Sequence, residues 1–417
     1  MSTFSDAGCE SKRFFLLVAV FILGHILVEG KNATNSDTTK YHRNSIYSVL
    51  IEHSGYEFGR DIQREFLNIA LPDKYNDHNL SERIFSSGEE KDQHAAITAF
   101  FEKKDIAKQL VSKWFNRSDK TGAFDMSLIT ERGFYDASML DYAIAKRTAR
   151  GIASLADAGE ELIGRTFVIV NDIRYIDKKE SAGKFSIALN YAGMLAGSVI
   201  PGASLLTSSI TQGGMAISRM VAGFKVKITS YLYRLEWNDD NSARFYQDYY
   251  YDLSNIDRGK KSNYESDKTN FTLKLVGTYT AKSNKTVVRG LNSDTVVIRK
   301  VCARALDNNI AELQKRFDIF KIKTPILTVD EKYVTSSIGM KEGITSKSRF
   351  EVLEAYLDEG KTNYKRVGVI KPVKNKIWDN RYMSFEEKAV GADLAETTFE
   401  KVSGGDFFPG MLLREIK

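Results

Sequence analysis

Histidine is the residue type that most restricts the chemistry open to this chain. Outside the N-terminal apolar run it occurs at four positions, His42, His53, His78 and His94. Their spacings match no zinc-binding helix motif. A Ser-His-Asp triad would need one of these early histidines to reach a region far along the chain. We therefore expect no metal, no cofactor and no histidine-dependent catalysis.

Two sets of short stretches match the spacing of active-site motifs but lack the flanking secondary structure or the chain order that those motifs require. Gly159 to Thr166 has the spacing of a phosphate-binding loop, with Arg165 where lysine should stand. A helix is expected before it and a strand after it, which is the reverse of a phosphate-binding loop. Ser181-Ala-Gly-Lys184 and Lys120-Thr-Gly122 match two elements of the penicillin-recognising serine enzymes, but in the wrong order. We expect neither nucleotide binding nor acyl transfer here.

Carboxylate and cysteine side chains offer few other routes to catalysis. A pair of Asp or Glu side chains can hydrolyse a glycosidic bond without histidine, so a secreted carboxylate-dependent hydrolase is the alternative function. No spacing singles out such a pair. Cys302 lies in the apolar context Val301-Cys302-Ala303, which favours a buried structural thiol. Because Cys9 precedes the N-terminal apolar run, we expect no intrachain disulfide.

A group of aromatic side chains offers a candidate binding patch. Its members are Phe245, Tyr246, Tyr249, Tyr250 and Tyr251. Exposed rings could stack on sugars or cover the apolar surface of a partner. Buried rings would pack beside the strand predicted for Phe224 to Trp237. The sequence leaves both alternatives open.

A long uncharged segment stands apart from the rest of the chain. The 34 residues from Phe185 to Ser218 include no charge, and Pro201-Gly202 lies near their middle. The spacing of Gly193 and Gly197 would let a helix approach a neighbour closely. Three placements remain open: a hairpin buried in the fold, a contact with a membrane or another subunit, and a mobile loop. The candidate contact residues are Phe185, Leu189, Gly193, Leu195, Gly197, Val199, Ile200, Leu205, Leu206 and Ile210.

The N-terminus has the layout of a secretory signal peptide. Lys12 and Arg13 precede an apolar run from Phe14 to Val28, which is shorter than the ~20 residues that a spanning helix needs. We predict a signal peptide over residues 1–30, cleaved near Gly30, with an uncleaved anchor as the alternative. Residues 31–40 are predicted to be a disordered leader. The net charge of +6 is too small and dispersed to indicate nucleic acid.

Hydrophobic periodicity predicts an α+β fold in three regions. Residues 41–118 form a mainly helical region, in which Pro72 to Ser87 is a loop. Residues 119–324 form a mixed αβ domain that carries the uncharged insertion, and residues 325–417 form a small C-terminal β-barrel or sandwich. In the middle domain we predict a helix from Leu140 to Leu155, strands at Phe167–Ile176, Phe224–Trp237 and Phe271–Tyr279, and a helix near Ile310. The clearest C-terminal strands are Arg349–Leu357, Tyr364–Val373 and Met411–Ile416, with a turn at Ser403–Asp406.

Three stretches together resemble uncharacterised exported envelope proteins of the Bacteroidota type: Glu131 to Ala137, Phe167 to Tyr175, and Val402 to Met411. The resemblance covers residues 120–417 and implies a periplasmic or outer-envelope location, without an activity or site. The order of elements is also similar to that of the curli-secretion channel and flagellar collar proteins. In that channel an insertion between strands enters the outer membrane. Phe185 to Ser218 occupies a comparable position but lacks the alternation of a membrane β-hairpin.

The sequence therefore predicts a non-catalytic structural or binding component of a cell envelope. We expect an oligomer, and a secretion- or pore-associated subunit is the most specific form of this prediction. The expected partners are envelope proteins, the membrane surface or further copies of the same chain in a homo-oligomer. Nucleic acid is excluded as a partner. No catalytic, cofactor-binding or metal-binding residue is assigned.

Overall fold

The structure, a computed structural model, confirms the predicted α+β class. It describes residues 44–136, 162–177, 224–283 and 294–416, except for residues 54, 56, 57, 73, 89–91, 322, 359 and 360. Two six-stranded sheets are joined by helices. The α-helices in the described residues are α1 (Gly59–Asn68), α2 (Gln93–Lys103), α3 (Ile106–Trp114), α4 (Ser127–Asp136), α5 (Asp239–Arg244), α6 (Arg258–Ser266) and α7 (Asp294–Arg316).

The first sheet, called the central sheet below, combines parallel and antiparallel pairs. Its strands are β1 (Asn44–Glu52), β2 (Tyr75–Asp77), β3 (Ile84–Ser86), β4 (Thr166–Asp177), β5 (Phe224–Leu235) and β6 (Leu273–Ser283). The order is β2-β1-β4-β5-β6, and β3 also pairs with β1. Strand β1 runs parallel to β2, β3 and β4, whereas β5 is antiparallel to both β4 and β6. The strands predicted near residues 167, 224 and 271 are thus neighbours in one sheet.

Strand β4 is covered on both faces, and its sequence reflects this. Phe167 and Ile169 pack toward helix α7, whereas Val168 and Val170 pack toward α2 and α3. Burial on two faces favours a continuous run of β-branched and aromatic residues rather than alternation. Each such side chain stabilises the fold by about 1.5–3 kcal/mol relative to an exposed one.

Helices cover the two faces of the central sheet with different partners. On one face, Val301 and Leu306 of α7 pack with Phe66 of α1 against the sheet. On the other, α2 and α3 enclose a core rich in aromatic side chains. There the Trp114 indole N–H donates a hydrogen bond of 2.7 Å to the Thr166 hydroxyl, which satisfies both buried groups.

Strand β1 was missed by the sequence analysis. It lies inside the region predicted to be mainly helical, so the central sheet takes strands from both sides of the expected boundary at residue 118. Buried polar residues interrupt its apolar run, among them Asn44 and Ser48. Their partners are distant in sequence: the Asn44 side-chain amide donates to the Phe320 carbonyl, and the Ser48 backbone N–H donates to Asn79. The predicted loop Pro72–Ser87 likewise contains β2 and β3.

The helical predictions on either side of that loop are confirmed. Ile62 and Phe66, which recur at helical spacing, lie on α1. The second stretch with helical spacing, Ile97 to Leu110, forms two helices, α2 and α3, separated at Asp105. Asp105 has φ of +49°, a left-handed conformation that ends one helix before the next begins. The helix predicted near Ile310 is α7. The helix predicted from Leu140 to Leu155 lies outside the described residues.

The second sheet forms a nearly closed barrel, in agreement with the predicted C-terminal β domain. Its strands are β7 (Thr324–Pro325), β8 (Tyr333–Ser336), β9 (Arg349–Asp358), β10 (Lys361–Pro372), β11 (Thr397–Gly404) and β12 (Leu412–Ile416), in the order β7-β12-β9-β10-β11-β8. The Leu327 backbone N–H donates to the Thr335 carbonyl at 2.9 Å, so the chain that follows β7 also bonds to β8. Phe350, Phe399 and Leu413 fill the interior.

The sequence analysis also missed β7, β8 and β11. Strands β7 and β8 are short, and β11 is largely exposed beyond its first residues. None of the three strands therefore shows a strong apolar pattern. The predicted turn at Ser403–Asp406 begins at Gly404, where φ is +117°. A Cβ at that position would collide with the Val367 carbonyl, so glycine is required there.

Candidate functional site

The uncharged segment from Phe185 to Ser218 is inserted at the edge of the central sheet where β4 ends. Strand β1 ends near the pairing of Ile51 with Asp172, but β4 continues to Asp177 alongside β5. Asp177 lies directly opposite Phe224, so the chain leaves and re-enters the sheet at neighbouring positions. The predicted insertion therefore joins two paired strands of a β-hairpin.

The candidate contact residues of this insertion lie outside the described part of the chain. They are Phe185, Leu189, Gly193, Leu195, Gly197, Val199, Ile200, Leu205, Leu206 and Ile210. Only the two strands that carry the segment are described, together with the side chains at their base. The site is therefore built here from that base.

A histidine and a carboxylate meet at this edge across a long separation in sequence. His53, just after β1, donates from Nε2 to Oδ1 of Asp172 at 2.6 Å. The Arg174 guanidinium donates from Nε to both Asp172 oxygens, at 3.2 and 3.0 Å. Asp172 is buried, His53 is partly buried and Arg174 is half-exposed. We call these three residues the edge cluster.

The edge cluster keeps Asp172 ionised. Burial by itself raises the pKa of this carboxyl, but the hydrogen bond and charge of His53, together with Arg174, outweigh burial and hold the pKa below its ordinary value. Hydrogen bonds to an ionised group are stronger than neutral ones. The cluster therefore ties the end of β1 to β4 at the point where β4 and β5 extend beyond the sheet.

A His–Asp pair is also the part of a Ser-His-Asp triad that orients the general base. The expected obstacle, that an early histidine could not reach a residue far along the chain, does not hold for His53, because β1 lies in the central sheet. Cys302 does not supply a nucleophile. It packs with Ile173 on the face that α7 covers, whereas alternation along β4 places Asp172 on the other face. We assign the edge cluster a positioning role.

Two further histidines hold elements together. The His78 ring is buried: Arg132 donates to its Nδ1 at 3.0 Å, and its Nε2 lies 3.0 Å from the Leu110 carbonyl. Because arginine only donates, Nδ1 accepts and the proton is on Nε2. Burial and then the Arg132 charge hold the pKa of His78 well below its usual range. His94 bonds through Nδ1 to the Tyr233 hydroxyl at 2.8 Å.

The candidate aromatic binding patch is wrong as an exposed surface. Phe245, Tyr249 and Tyr251 are buried, and Tyr246 and Tyr250 pack against the same core. The rings of Phe115 and Phe245 lie 4.3 Å apart between centroids. Phe245 to Tyr249 form a π-helical turn directly after α5, and Tyr250 and Tyr251 lie in the chain beyond it. These segments pack over the α2–α3 side of the central sheet, so the rings face inward.

The thiol prediction is confirmed, since Cys302 is free and buried among apolar side chains. Burial raises the pKa of this thiol to about 12, so it is unreactive at neutral pH. Among the described residues no group of three or more His, Cys, Asp or Glu side chains could hold a metal ion. Within the same residues no helix is long and apolar enough to cross a membrane.

Comparison with known proteins adds no relative to this picture. The sequence matches no model of a protein family, and no curated protein sequence matches it. The function is therefore argued from the site alone.

Proposed function

We propose that the protein is a non-catalytic structural or binding component of a cell envelope, which makes its main contact through the uncharged segment from Phe185 to Ser218. The observation that carries this proposal is the pairing of Asp177 with Phe224. An insertion between two paired residues can vary without changing the sheet that carries it. Surface loops tolerate long insertions because the entropy cost of closing a loop grows only slowly with its length.

The charge pattern of the segment supports a contact role. Thirty-four consecutive uncharged residues would form an apolar surface larger than soluble monomers usually expose. Such a surface is covered by the protein's own core, by another subunit or by lipid. The described cores around β1 and β4 are already filled by side chains of α1, α2, α3 and α7, so a contact outside the described fold is favoured.

The base of the hairpin is suited to hold such a contact element. Strand β5 lies between β4 and β6, so the protruding strands are paired on both sides of β5. In the edge cluster, His53 and Arg174 both donate to Asp172, which ties the end of β1 to β4. Because these pairings hold the base of the hairpin in place, binding at the segment is coupled to the rest of the fold. The proposal includes export, for which the predicted signal peptide is the support.

The decisive experiment replaces residues 178–223 with Asn-Gly, a two-residue turn suited to an antiparallel hairpin. We expect the shortened protein to fold with an unchanged melting temperature, since Asp177 and Phe224 are already paired. It should lose sedimentation with membranes, or assembly in cross-linking and light-scattering measurements. Loss of folding would instead place the segment in the core, and unchanged sedimentation and assembly would refute the proposal.

A point substitution separates contact from folding more gently. Leu195→Lys puts one charge within the segment, and Leu253→Lys makes the same change at an exposed site outside it. We expect the first variant to remain folded but to lose membrane or subunit contact, and the second to behave like the wild type. Fractionation of the untagged protein, with N-terminal sequencing that begins near Lys31, would test export in the same preparation.

A further inference from the structure

A cavity of about 770 Å³ lies between helix α7 and the C-terminal barrel. Its walls are α7, the chain from Met340 to Ser346 and the chain from Lys374 to Arg381 that follows β10. This volume is in the range that encloses a small organic ligand. The cavity lies far along the chain from the edge cluster, and no residue is shared between the two.

Positive charge dominates the lining of this cavity. Asp307 and Glu312 are its acidic residues, and its cationic residues are Lys300, Arg304, Lys315, Lys374 and Arg381. Several cations have protein partners: Lys300 and Arg304 both pair with Glu387, and Arg381 pairs with Asp379 at 2.6 Å. The two pairs with Glu387 hold α7 to the chain between β10 and β11, and the Arg381–Asp379 pair lies within that chain.

Two lysines are better placed for a ligand. Lys374 is exposed at the cavity and makes no hydrogen bond or ion pair with the residues that the structure describes. The Lys315 ammonium donates one hydrogen bond of 3.0 Å to the Gly343 carbonyl and lies 3.8 Å from Glu312, which leaves donor capacity. The apolar side chains of Val301, Ile344 and Ile377 complete the lining.

We propose that this cavity binds a small organic anion whose phosphate or carboxylate oxygens contact Lys315 and Lys374 and whose carbon skeleton packs on the apolar wall. An ammonium group recognises either kind of oxygen as a point charge. The hydroxyl groups of Thr345 and Ser346, which also line the cavity, add neutral donors.

Asp307 makes this binding depend on pH. It is buried in the cavity wall, and burial raises its pKa to about 7, with Lys341 (3.8 Å away) and Arg304 opposing the rise and Glu342 adding to it. Below that pH the carboxyl is neutral, so the cavity gains net positive charge. The other charged groups that face the same space are Lys300, Glu312, Lys315, Lys374 and Arg381. Anion affinity should therefore rise as the pH falls from 8 to 6.

The test uses 1,3-benzenedisulfonate, an aromatic dianion whose own charge does not change between pH 6 and 8. Titration calorimetry on the full chain should show binding at pH 6 that weakens roughly tenfold at pH 8. Lys374→Ala should weaken binding at pH 6 by roughly tenfold, as expected for one lost charge-assisted contact. Lys365→Ala removes the same charge from β10 at a site paired with Glu354, outside the cavity, and should bind like the wild type.

Two further variants decide the assignment. Lys315→Gln should weaken binding as Lys374→Ala does, and circular dichroism of each variant checks that it folds. Asp307→Asn should bind equally at pH 6 and pH 8. The proposal is overturned if the wild type does not bind the dianion at millimolar concentration, or if Lys374→Ala and Lys365→Ala bind it equally.

Discussion

Asp172 at the sheet edge and Asp307 in the cavity wall are equally buried carboxylates, 5% and 4% exposed, that differ in their charge state. The pKa of Asp172 lies below its ordinary value, whereas burial raises that of Asp307 to about 7. Burial opposes ionisation at both sites. The difference lies in what else each carboxyl contacts.

At Asp172, His53 and Arg174 both donate hydrogen bonds directly to the carboxylate. At Asp307 the cation Lys341 is 3.8 Å away, and Glu342 adds negative charge nearby. Direct hydrogen bonds compensate the lost hydration of an ion, and a more distant charge compensates it only in part. Burial alone therefore predicts neither the charge state of a carboxyl nor its role. Asp172 joins two strands, whereas Asp307 lines a cavity.

Asp307→Asn should have the largest effect on stability. A raised carboxyl pKa means that the folded protein holds the proton longer than the unfolded chain, so the free energy of unfolding falls as pH rises from about 4 to about 7. The step from 3.8 to about 7 corresponds to about 4 kcal/mol at most. The variant should lack this decline and be more stable than the wild type at pH 8, measured by urea unfolding.

The matched control for this prediction is Asp406→Asn, which removes an exposed carboxyl from the barrel. It should leave the pH dependence of the wild type intact. If Asp307→Asn shows the same decline between pH 4 and 7, the two buried carboxyls do not differ as described.

Asp172→Asn should act in the opposite direction. Its lowered pKa stabilises the folded state above the ordinary value of 3.8, and that stabilisation is lost as the pH falls through the folded pKa. We expect the variant to lose about 2 kcal/mol at pH 7, the usual contribution of hydrogen bonds to a charged group. Urea unfolding at pH 7 and pH 3 should show a smaller loss at the lower pH. An equal loss at both would assign the effect to packing.

Arg174→Gln should have the smallest effect of the three. The Arg174 side chain is half-exposed, so solvent screens its pairing with Asp172. We expect a loss of about 0.5 kcal/mol that disappears in high salt. A loss larger than that of Asp172→Asn would mean that arginine, and not His53, keeps this carboxyl ionised.

The local hydrophobic pattern of the sequence predicted the strands and buried residues whose environment depends on their neighbours in sequence. The continuous apolar run of β4 and the near alternation of β5 gave two central strands, and Cys302 was correctly expected in an apolar core. The lack of charge from Phe185 to Ser218 is likewise a property of the sequence. These features could be predicted because each depends on residues a few positions apart.

Tertiary structure alone decided the position of β1, the edge cluster and the environment of Asp307. His53 and Asp172 are separated by 119 positions and meet only because β1 pairs in parallel with β4. From the sequence, the aromatic side chains from Phe245 to Tyr251 fit either a surface patch or a core, and packing against α2 and α3 places them inside. Pairing and burial across such separations follow from which faces of distant elements meet, and no short window of sequence encodes that contact.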